Sequence, residues 1–351
     1  MNAELVDGIA KAVLYEGYML YPYRPSAIKN RQRFNFGVVY PRAYSELQGG
    51  TDACTMQTEC LVSGSDQTQC SLRVRFLRLI ERSIARPCQP SNDPSAQPHE
   101  VVGRLEVDGK TYQPWQEAAE ETVEVTEFNL SALAAQSMQW PFRMSAKHDT
   151  EPVRDNRGAL AGFILRDKRT IAGAIDLSAA WLEQGLFRLT VRISNDSRIE
   201  TGQGIARERA LEQALVSAHT ILQLCEGEFV SLIDPPDAYA GHARACHNVG
   251  TWPVLVGTEG QRDTMLSSPI ILYDYPRVAP ESPGDLFDAA EIDEILSLRI
   301  MAMTEEEKRE MRESDECVRR ILERTETLPE EHWMKLHGAL RGLRPVKEET
   351  P

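Results

Sequence analysis

The stretch from Ser267 to Met303 joins the two kinds of structure that this sequence predicts, and it reads SSPIILYDYPRVAPESPGDLFDAAEIDEILSLRIMAM. It begins with a short apolar run, Ile270 to Tyr273, whose composition is typical of a strand. Regular structure is then interrupted by Pro276, Pro280 and Pro283. Asp288 and Glu291 have the spacing of a capping box ahead of periodic apolar residues, which predicts a helix over 289–303. The stretch therefore predicts a β-rich body followed by a helical tail.

The tail is predicted to continue as helix, and it is acidic. Thr304 and Glu307 form a second capping box, which predicts a helix over 305–323. From Asp285 onward there are 18 acidic and 11 basic residues, whereas residues 11–42 contain six basic residues and one acidic residue. These oppositely charged ends either attract each other or each meet a partner.

Residues 30–195 predict an antiparallel β domain, either a sandwich or an open barrel. Leu72 to Ile80 begins as an alternation of apolar and basic side chains. Asp108-Gly109 separates two strand-like arms and predicts a hairpin, because this pair adopts positive φ at low cost. Further strands are predicted at 160–165, 170–175 and 186–193, and the short link 166–169 favours a hairpin between the first two.

A polar, glycine-containing break at 195–204 predicts a boundary. After it, Ala206 to Cys225 has apolar residues at three- and four-residue spacing and predicts a helix, with His219 on the solvated side. We therefore expect an α+β chain in three parts. These parts are a β-rich domain over 1–200 with a Tyr/Arg-rich N-terminal segment, a small α/β layer over 201–285 packed on it, and an acidic helical tail over 286–351.

The composition is that of an ordinary globular protein, with 42% hydrophobic and 26% charged residues. No apolar run approaches the roughly 20 residues of a membrane-spanning helix, and the N-terminus lacks signal-peptide features. Seven cysteines without a Cys-x-x-Cys pair indicate free thiols in a reducing compartment, so we expect a cytoplasmic protein without a membrane span. The net charge of −14 argues against nucleic-acid binding, which needs clustered Lys and Arg.

Aromatic and basic residues alternate near the N-terminus and are candidates for contact with a protein partner or an anion. The candidate contact residues are Tyr23, Arg24, Lys29, Arg31 and Arg33. The alternative is structural, because tyrosine rings often cover a core while neighbouring cations face water.

His242, Cys246 and His247 are the candidate metal ligands, since the first two are four residues apart and one helical face could present both to zinc. The alternative is that they bind nothing, because four ligands with fixed spacing are not visible. No cofactor motif is present, and the cofactor is unknown: the sequence lacks a phosphate-binding loop, a dinucleotide fingerprint and a nucleophile elbow.

A polar loop after the predicted strand is the second candidate for chemistry, with Asp274, Arg277, Glu281 and Asp285. Carboxylates on a proline-rich loop could act as acid and base or bind a hard cation. In the alternative, Asp274 and Glu281 end elements or pair with Arg277, as Asp residues commonly do at turns and caps.

Two stretches, LYEGYMLYPYRPSAIKN at 14–30 and the segment 267–300, resemble an uncharacterised family of proteins encoded beside nickel–iron hydrogenase genes in aerobic bacteria. The resemblance covers about a seventh of the chain, at its two ends. It implies an accessory role in building or supporting a hydrogenase, and it implies no catalytic residues. The chain lacks the paired Cys-x-x-Cys motifs of hydrogenase large subunits.

Three functional hypotheses follow. The leading one is a non-catalytic accessory or assembly protein that binds a protein partner, a hydrogenase subunit or maturation factor. The second is a metal-binding enzyme or metal-delivery factor that uses residues 242–247. The third is an anion or nucleotide binder that uses the basic N-terminal segment.

Overall fold

Antiparallel strands are the main regular structure of the chain in a computed structural model of the protein. The structure describes residues 2–19, 22–24, 27, 30, 33–88, 98–199, 205–277, 293–314 and 316–329. Contacts between Cα atoms divide the chain into two compact units, one of residues 1–18 and 32–277 and one of residues 19–31 and 278–351. The domain boundaries predicted at 200 and 285 stay predictions.

The first unit contains the strands and five short or medium helices among its described residues. Its strands are β1 (Thr55–Ser63), β2 (Gln69–Pro87), β3 (His99–Val102), β4 (Leu105–Val107), β5 (Lys110–Tyr112), β6 (Trp115–Asn129), β7 (Met138–Met144), β8 (Lys147–Arg154), β9 (Leu160–Lys168), β10 (Ile171–Glu183), β11 (Leu186–Asn195), β12 (Val216–Cys225), β13 (Glu228–Val230), β14 (Trp252–Leu255) and β15 (Thr264–Ser268). Its helices are α1 (Asn2–Leu14), α2 (Arg42–Leu47), α3 (Leu130–Ala135), α4 (Arg207–Leu211) and α5 (Ala240–Arg244), with a 3-10 turn at Asp237–Tyr239.

Two sheets enclose the main apolar core. The smaller sheet has the order β13-β1-β11-β10-β7, and the larger follows β14-β15-β12-β2-β9-β8, with β3 and β6 also paired to β2. The largest apolar cluster draws on both sheets, with Val62 and Leu189 from the smaller and Val74 and Leu222 from the larger. The predicted α+β class and antiparallel body are therefore confirmed, and the sheets are not closed into a barrel.

The local turn signal at Asp108-Gly109 is confirmed. β4 and β5 pair as a hairpin, and both turn residues have positive φ, 49° and 80°. This conformation matches the right-handed twist of the arms.

One long ribbon of chain bends from one sheet into the other. β8 and β9 pair in the larger sheet, β7 and β10 pair in the smaller, and residues 145–146 and 169–170 join them. The hairpin predicted at 166–169 is therefore wrong, since β9 pairs with β8 and β2 rather than with β10. Arg78 of β2 is buried at this bend, and its Nη2 donates to the carbonyls of Ser145 and Arg169, both at 2.6 Å.

The helix predicted over Ala206–Cys225 is wrong. Only α4 is helical there, and residues 216–225 form β12, which lies between β2 and β15 in the larger sheet. Because a central strand is covered on both faces, apolar residues can follow one another without strict alternation, and such a run also matches helical spacing. His219, predicted to be solvated, is fully buried.

The residues predicted as a small α/β layer over 201–285 contribute strands to both sheets. β12, β14 and β15 extend the larger sheet and β13 extends the smaller, so these residues complete the same two-sheet body. The strand predicted at Ile270–Tyr273 is absent from the sheets, because β15 ends at Ser268. The β composition was read correctly, but the strand lies earlier in the chain.

α1 covers the outer face of the larger sheet. Val6, Ile9 and Val13 pack in one apolar cluster with Ile221 of β12 and Leu266 of β15. The hydroxyl of Ser217 also donates to the carbonyl of Val13 at 3.0 Å. This helix thus seals the face on which His219 lies.

The second unit contains the predicted helical C-terminal region, with α6 (Asp293–Met301), α7 (Glu305–Ser314) and α8 (Glu316–Glu326). The capping box at Thr304 is confirmed: its backbone N–H donates to Glu307 Oε2 at 2.9 Å, and the Glu307 N–H donates to Thr304 Oγ1 at 3.3 Å. The predicted helix start at Asp288 lies outside the described residues. None of the helices in the described ranges is both long and apolar enough to span a membrane.

Candidate functional site

The predicted N-terminal contact residues are divided between the two units. Tyr23 is fully buried in the second unit, whereas Arg33 is in the first unit. Arg24 forms ion pairs with Glu307 at 3.1 Å and Glu310 at 3.9 Å, so at this position the basic front does attract the acidic tail. Lys29 and Arg31 lie outside the described residues.

Arg33 is held by contacts within the first unit. Its guanidinium stacks 3.8 Å from the ring centroid of Trp115 and 4.5 Å from that of Phe34, and it donates to the carbonyls of Tyr18 and Gln116. The side chain is buried, so aromatic faces and carbonyl oxygens, rather than solvent, surround the charge.

The predicted metal ligands lie in and just after α5, where main-chain contacts dominate. The Cys246 thiol contacts the carbonyl of His242 at 3.6 Å, and the backbone N–H of His247 donates to Glu59 Oε2 at 2.8 Å. Burial, with the Glu59 carboxylate nearby, raises the pKa of Cys246 to about 11, so the thiol stays protonated at neutral pH. Within the described ranges no three His, Cys, Asp or Glu side chains group as metal ligands, and the metal hypothesis stays a prediction.

The described part of the predicted polar loop is held in structural contacts. Asp274 accepts hydrogen bonds from Ser231 Oγ at 2.5 Å and from the Leu255 N–H at 2.8 Å. Arg277 lies 3.6 Å from Glu259, and both side chains are exposed. Glu281 and Asp285 lie outside the described residues. Asp274 therefore fastens the chain after β15 to the neighbouring elements.

The hydrogen bonds of Asp274 hold the chain next to residues 270–273, which we call the display segment. Ile270 and Leu272 pack against the apolar cluster under α1, while Ile271 and Tyr273 are 70% and 83% exposed. Such alternation is characteristic of an extended chain. Yet the segment is outside every strand, and the N–H groups of residues 271–273 donate to no described residue. The display segment thus resembles a strand without a neighbour.

A second feature of the first unit is a cleft of about 400 Å³, which we call the aromatic cleft. Its lining includes Phe36, Tyr40, Asp52, Arg207, Trp252 and Pro269. The Phe36 and Trp252 side chains are 43% and 44% exposed, which is high for large apolar rings.

The wall of the aromatic cleft depends on a close approach at Gly37. This residue has φ +53°, and a Cβ there would lie 2.5 Å from the Cβ of Pro269. Glycine is therefore required both for the conformation and for the contact. The approach brings the 35–40 segment against Pro269, which precedes the display segment.

Charge in the aromatic cleft comes from Arg207 and Asp52. Arg207 Nη2 donates to the Phe34 carbonyl at 3.0 Å and to Asn35 Oδ1 at 2.7 Å, and the guanidinium lies 6.0 Å from the Tyr40 ring centroid. Burial, with the Asp52 carboxylate beside it, raises the pKa of Tyr44 to about 12. Burial also raises the pKa of Tyr40, so both phenols stay protonated at neutral pH.

Reasoning from sequence missed both features. The sequence IILY of the display segment is typical of a strand, and it therefore predicts a strand within the sheet rather than an exposed segment beside it. The aromatic cleft has no signal in the sequence, because its residues come from five separate stretches of chain that only the folded sheets bring together. No protein-family model matches the chain, and no curated protein matches it at a significant level.

Proposed function

We propose that the chain is a non-catalytic accessory protein that binds a protein partner, and that the display segment is its docking surface. The observation that carries the proposal is the exposure of Ile271 and Tyr273 on backbone that is held in place from both sides. Tyrosine and large aliphatic side chains on a fixed frame are suited to anchoring a partner.

The segment is fastened at both ends. The Ile270 N–H donates to Ser268 Oγ at 3.0 Å, and the Tyr275 N–H donates to the Leu255 carbonyl at 2.7 Å. The Tyr275 hydroxyl donates in turn to the Gln261 carbonyl at 2.9 Å. A preordered surface loses less conformational entropy on binding than a mobile one, so these contacts favour recognition.

The occupant we propose is an extended segment of the partner. The N–H groups of residues 271–273 have no acceptor among the described residues, and an added strand would supply carbonyl acceptors while packing on Ile271 and Tyr273. The resemblance of residues 14–30 and 267–300 to a hydrogenase-associated family supports a hydrogenase subunit or maturation factor as that partner.

Affinity capture from native cells tests this proposal with a double variant, Ile271→Asp with Tyr273→Asp. We expect the unmodified chain to retain a stoichiometric partner and the double variant to lose it, because two charges would be buried against the partner. Leu47→Asp is the matched control, since Leu47 is an apolar side chain of α2 that is 59% exposed. The captured partner is then purified and the complex reconstituted.

Two results would contradict the proposal. One is retention of the same partner by the double variant at an affinity within about threefold of the unmodified chain, which is under 1 kcal/mol. The other is loss of the partner with Leu47→Asp as well, which would indicate a general effect of surface charge. Self-association of the purified chain through residues 271–273, detected by its mass in solution, would assign the display segment to a second copy instead.

A further inference from the structure

Arg207 differs from other arginines of the first unit in its ion pairing. Among the described residues no carboxylate lies within ion-pair distance of it, whereas Arg78, Arg82 and Arg166 of the same unit each pair with a glutamate. Arg207 Nη2 donates two hydrogen bonds, one to a carbonyl and one to an amide oxygen, and both acceptors are neutral. A guanidinium has five N–H donors, so three remain for the Tyr40 phenol and for a ligand.

The position of Arg207 is fixed before any ligand arrives. The contacts to Phe34 and Asn35 hold Nη2, and the Tyr40 ring lies beside the guanidinium. The N–H groups on Nη1 and Nε remain, and they can donate charge-assisted hydrogen bonds to a carboxylate. The Arg207 side chain is therefore already ordered in the folded protein, and ligand binding loses little of its conformational entropy.

The residues that line the aromatic cleft indicate the size and polarity of the rest of the ligand. Its volume of about 400 Å³ is in the range of small-molecule sites, and such sites are lined mainly by apolar and aromatic groups with a few polar ones. Phe36 and Trp252 leave more than two fifths of their side-chain surface exposed, and a flat apolar group would cover it.

The charge balance favours a ligand with a single negative charge. Asp52 lines the same cleft as Arg207, so a second negative charge on the ligand would be repelled. A phosphate monoester, which carries nearly two charges at neutral pH, fits this balance less well than a carboxylate.

We infer that the aromatic cleft binds a small monocarboxylate that carries a flat apolar group, with its carboxylate on Arg207 and its apolar group against Phe36 and Trp252. This site is separate from the docking surface at residues 270–273, and its ligand is bound by the chain alone. Its test therefore needs no partner protein and can fail or succeed independently of the proposed function.

Calorimetric titration of the full chain with 3-phenylpropionate tests the inference. We expect saturable binding with a Kd of about 1 mM or tighter, which a ligand of this size can reach. The uncharged amide, 3-phenylpropionamide, should bind at least about tenfold more weakly because the charge-assisted hydrogen bonds are lost. This comparison uses the unmodified protein and does not depend on any variant folding.

Variants locate the site. Arg207→Gln should weaken 3-phenylpropionate at least about tenfold, Arg207→Lys less, and Trp252→Ala several-fold. Trp140→Ala is the matched control, because Trp140 is a similarly exposed tryptophan on β7, and it should leave the Kd unchanged. The thermal midpoint of each variant is measured alongside to establish that it folds.

Several results would overturn the inference. They are no saturable heat at about 10 mM ligand, well above the expected Kd, equal affinity for the amide, and an unchanged Kd in folded Arg207→Gln. Tighter binding of inorganic phosphate than of 3-phenylpropionate would overturn the assignment of a monocarboxylate.

Discussion

At the scale of single residues, His219 shows how a buried imidazole couples folding to pH. It lies on the face of β12 that α1 covers, its Nδ1 is 3.0 Å from the Ser217 carbonyl, and its Nε2 has no partner among the described residues. Arg75 lies opposite it on β2 and pairs with Asp7 of α1 at 3.6 Å. Burial, with a smaller effect of Arg75, lowers the pKa of His219 to about 4.

The lowered pKa predicts acid sensitivity of defined sign. Between pH 6.5 and about 4 the unfolded chain binds the proton and the folded chain does not, so stability falls as the pH falls through this window. The full loss is about 3 kcal/mol and is reached below the folded-state pKa. Urea unfolding of the unmodified chain and of His219→Gln at pH 7, 6, 5 and 4 measures it.

Because other groups titrate in the same range, the informative quantity is the difference between the two proteins. The variant should lose less stability on acidification, by up to about 3 kcal/mol at pH 4. Parallel pH profiles would show that His219 does not carry the effect.

At the scale of elements, the bend between the two sheets depends on one side chain. Arg78 is 4% exposed, and it binds the carbonyls of both links, Ser145 and Arg169, as well as Glu121 at 3.3 Å. Removing the guanidinium takes the Arg78 donors away from two part-buried carbonyls and from the Glu121 carboxylate. Arg78 therefore joins both links of the corner to β6.

We predict that Arg78→Met lowers the free energy of unfolding by about 3 kcal/mol, whereas Arg78→Lys lowers it by less. Arg86→Met is the matched control on the same strand, because Arg86 forms an exposed pair with Glu100, and it should cost under about 1 kcal/mol. Denaturant unfolding followed by circular dichroism measures all three. A loss of stability in Arg78→Met no greater than that of the control would refute this role of Arg78.

The elements also show which parts of the fold can be predicted from the sequence. The hairpin at Asp108-Gly109 and the cap at Thr304 were predictable because each is specified by residues within a few positions. β12 was misread because its flanking strands, β2 and β15, lie far away in sequence and bury both of its faces. Residues 270–273 have the composition of a strand, but no strand of the described chain pairs with them.

At the scale of the whole molecule, the basic N-terminal segment and the acidic tail are partly explained by contacts that they make with each other. Arg24 meets Glu307 and Glu310 within the second unit, so part of the basic front is neutralised by the acidic tail. The aromatic cleft could not be predicted at this scale or any smaller one, since residues near positions 36, 52, 207 and 252 become neighbours only through the sheet order.

The central claim is that the display segment meets an extended partner segment, and site-specific photo-crosslinking in native cells tests it most directly. Benzoylphenylalanine in place of Tyr273 should give one discrete adduct, mapped by mass spectrometry to a short stretch of a single protein, because Tyr273 is exposed on fixed backbone. The same group in place of Leu47 should give none. An absence of adduct at position 273, or an equal pattern at both positions, would contradict the account.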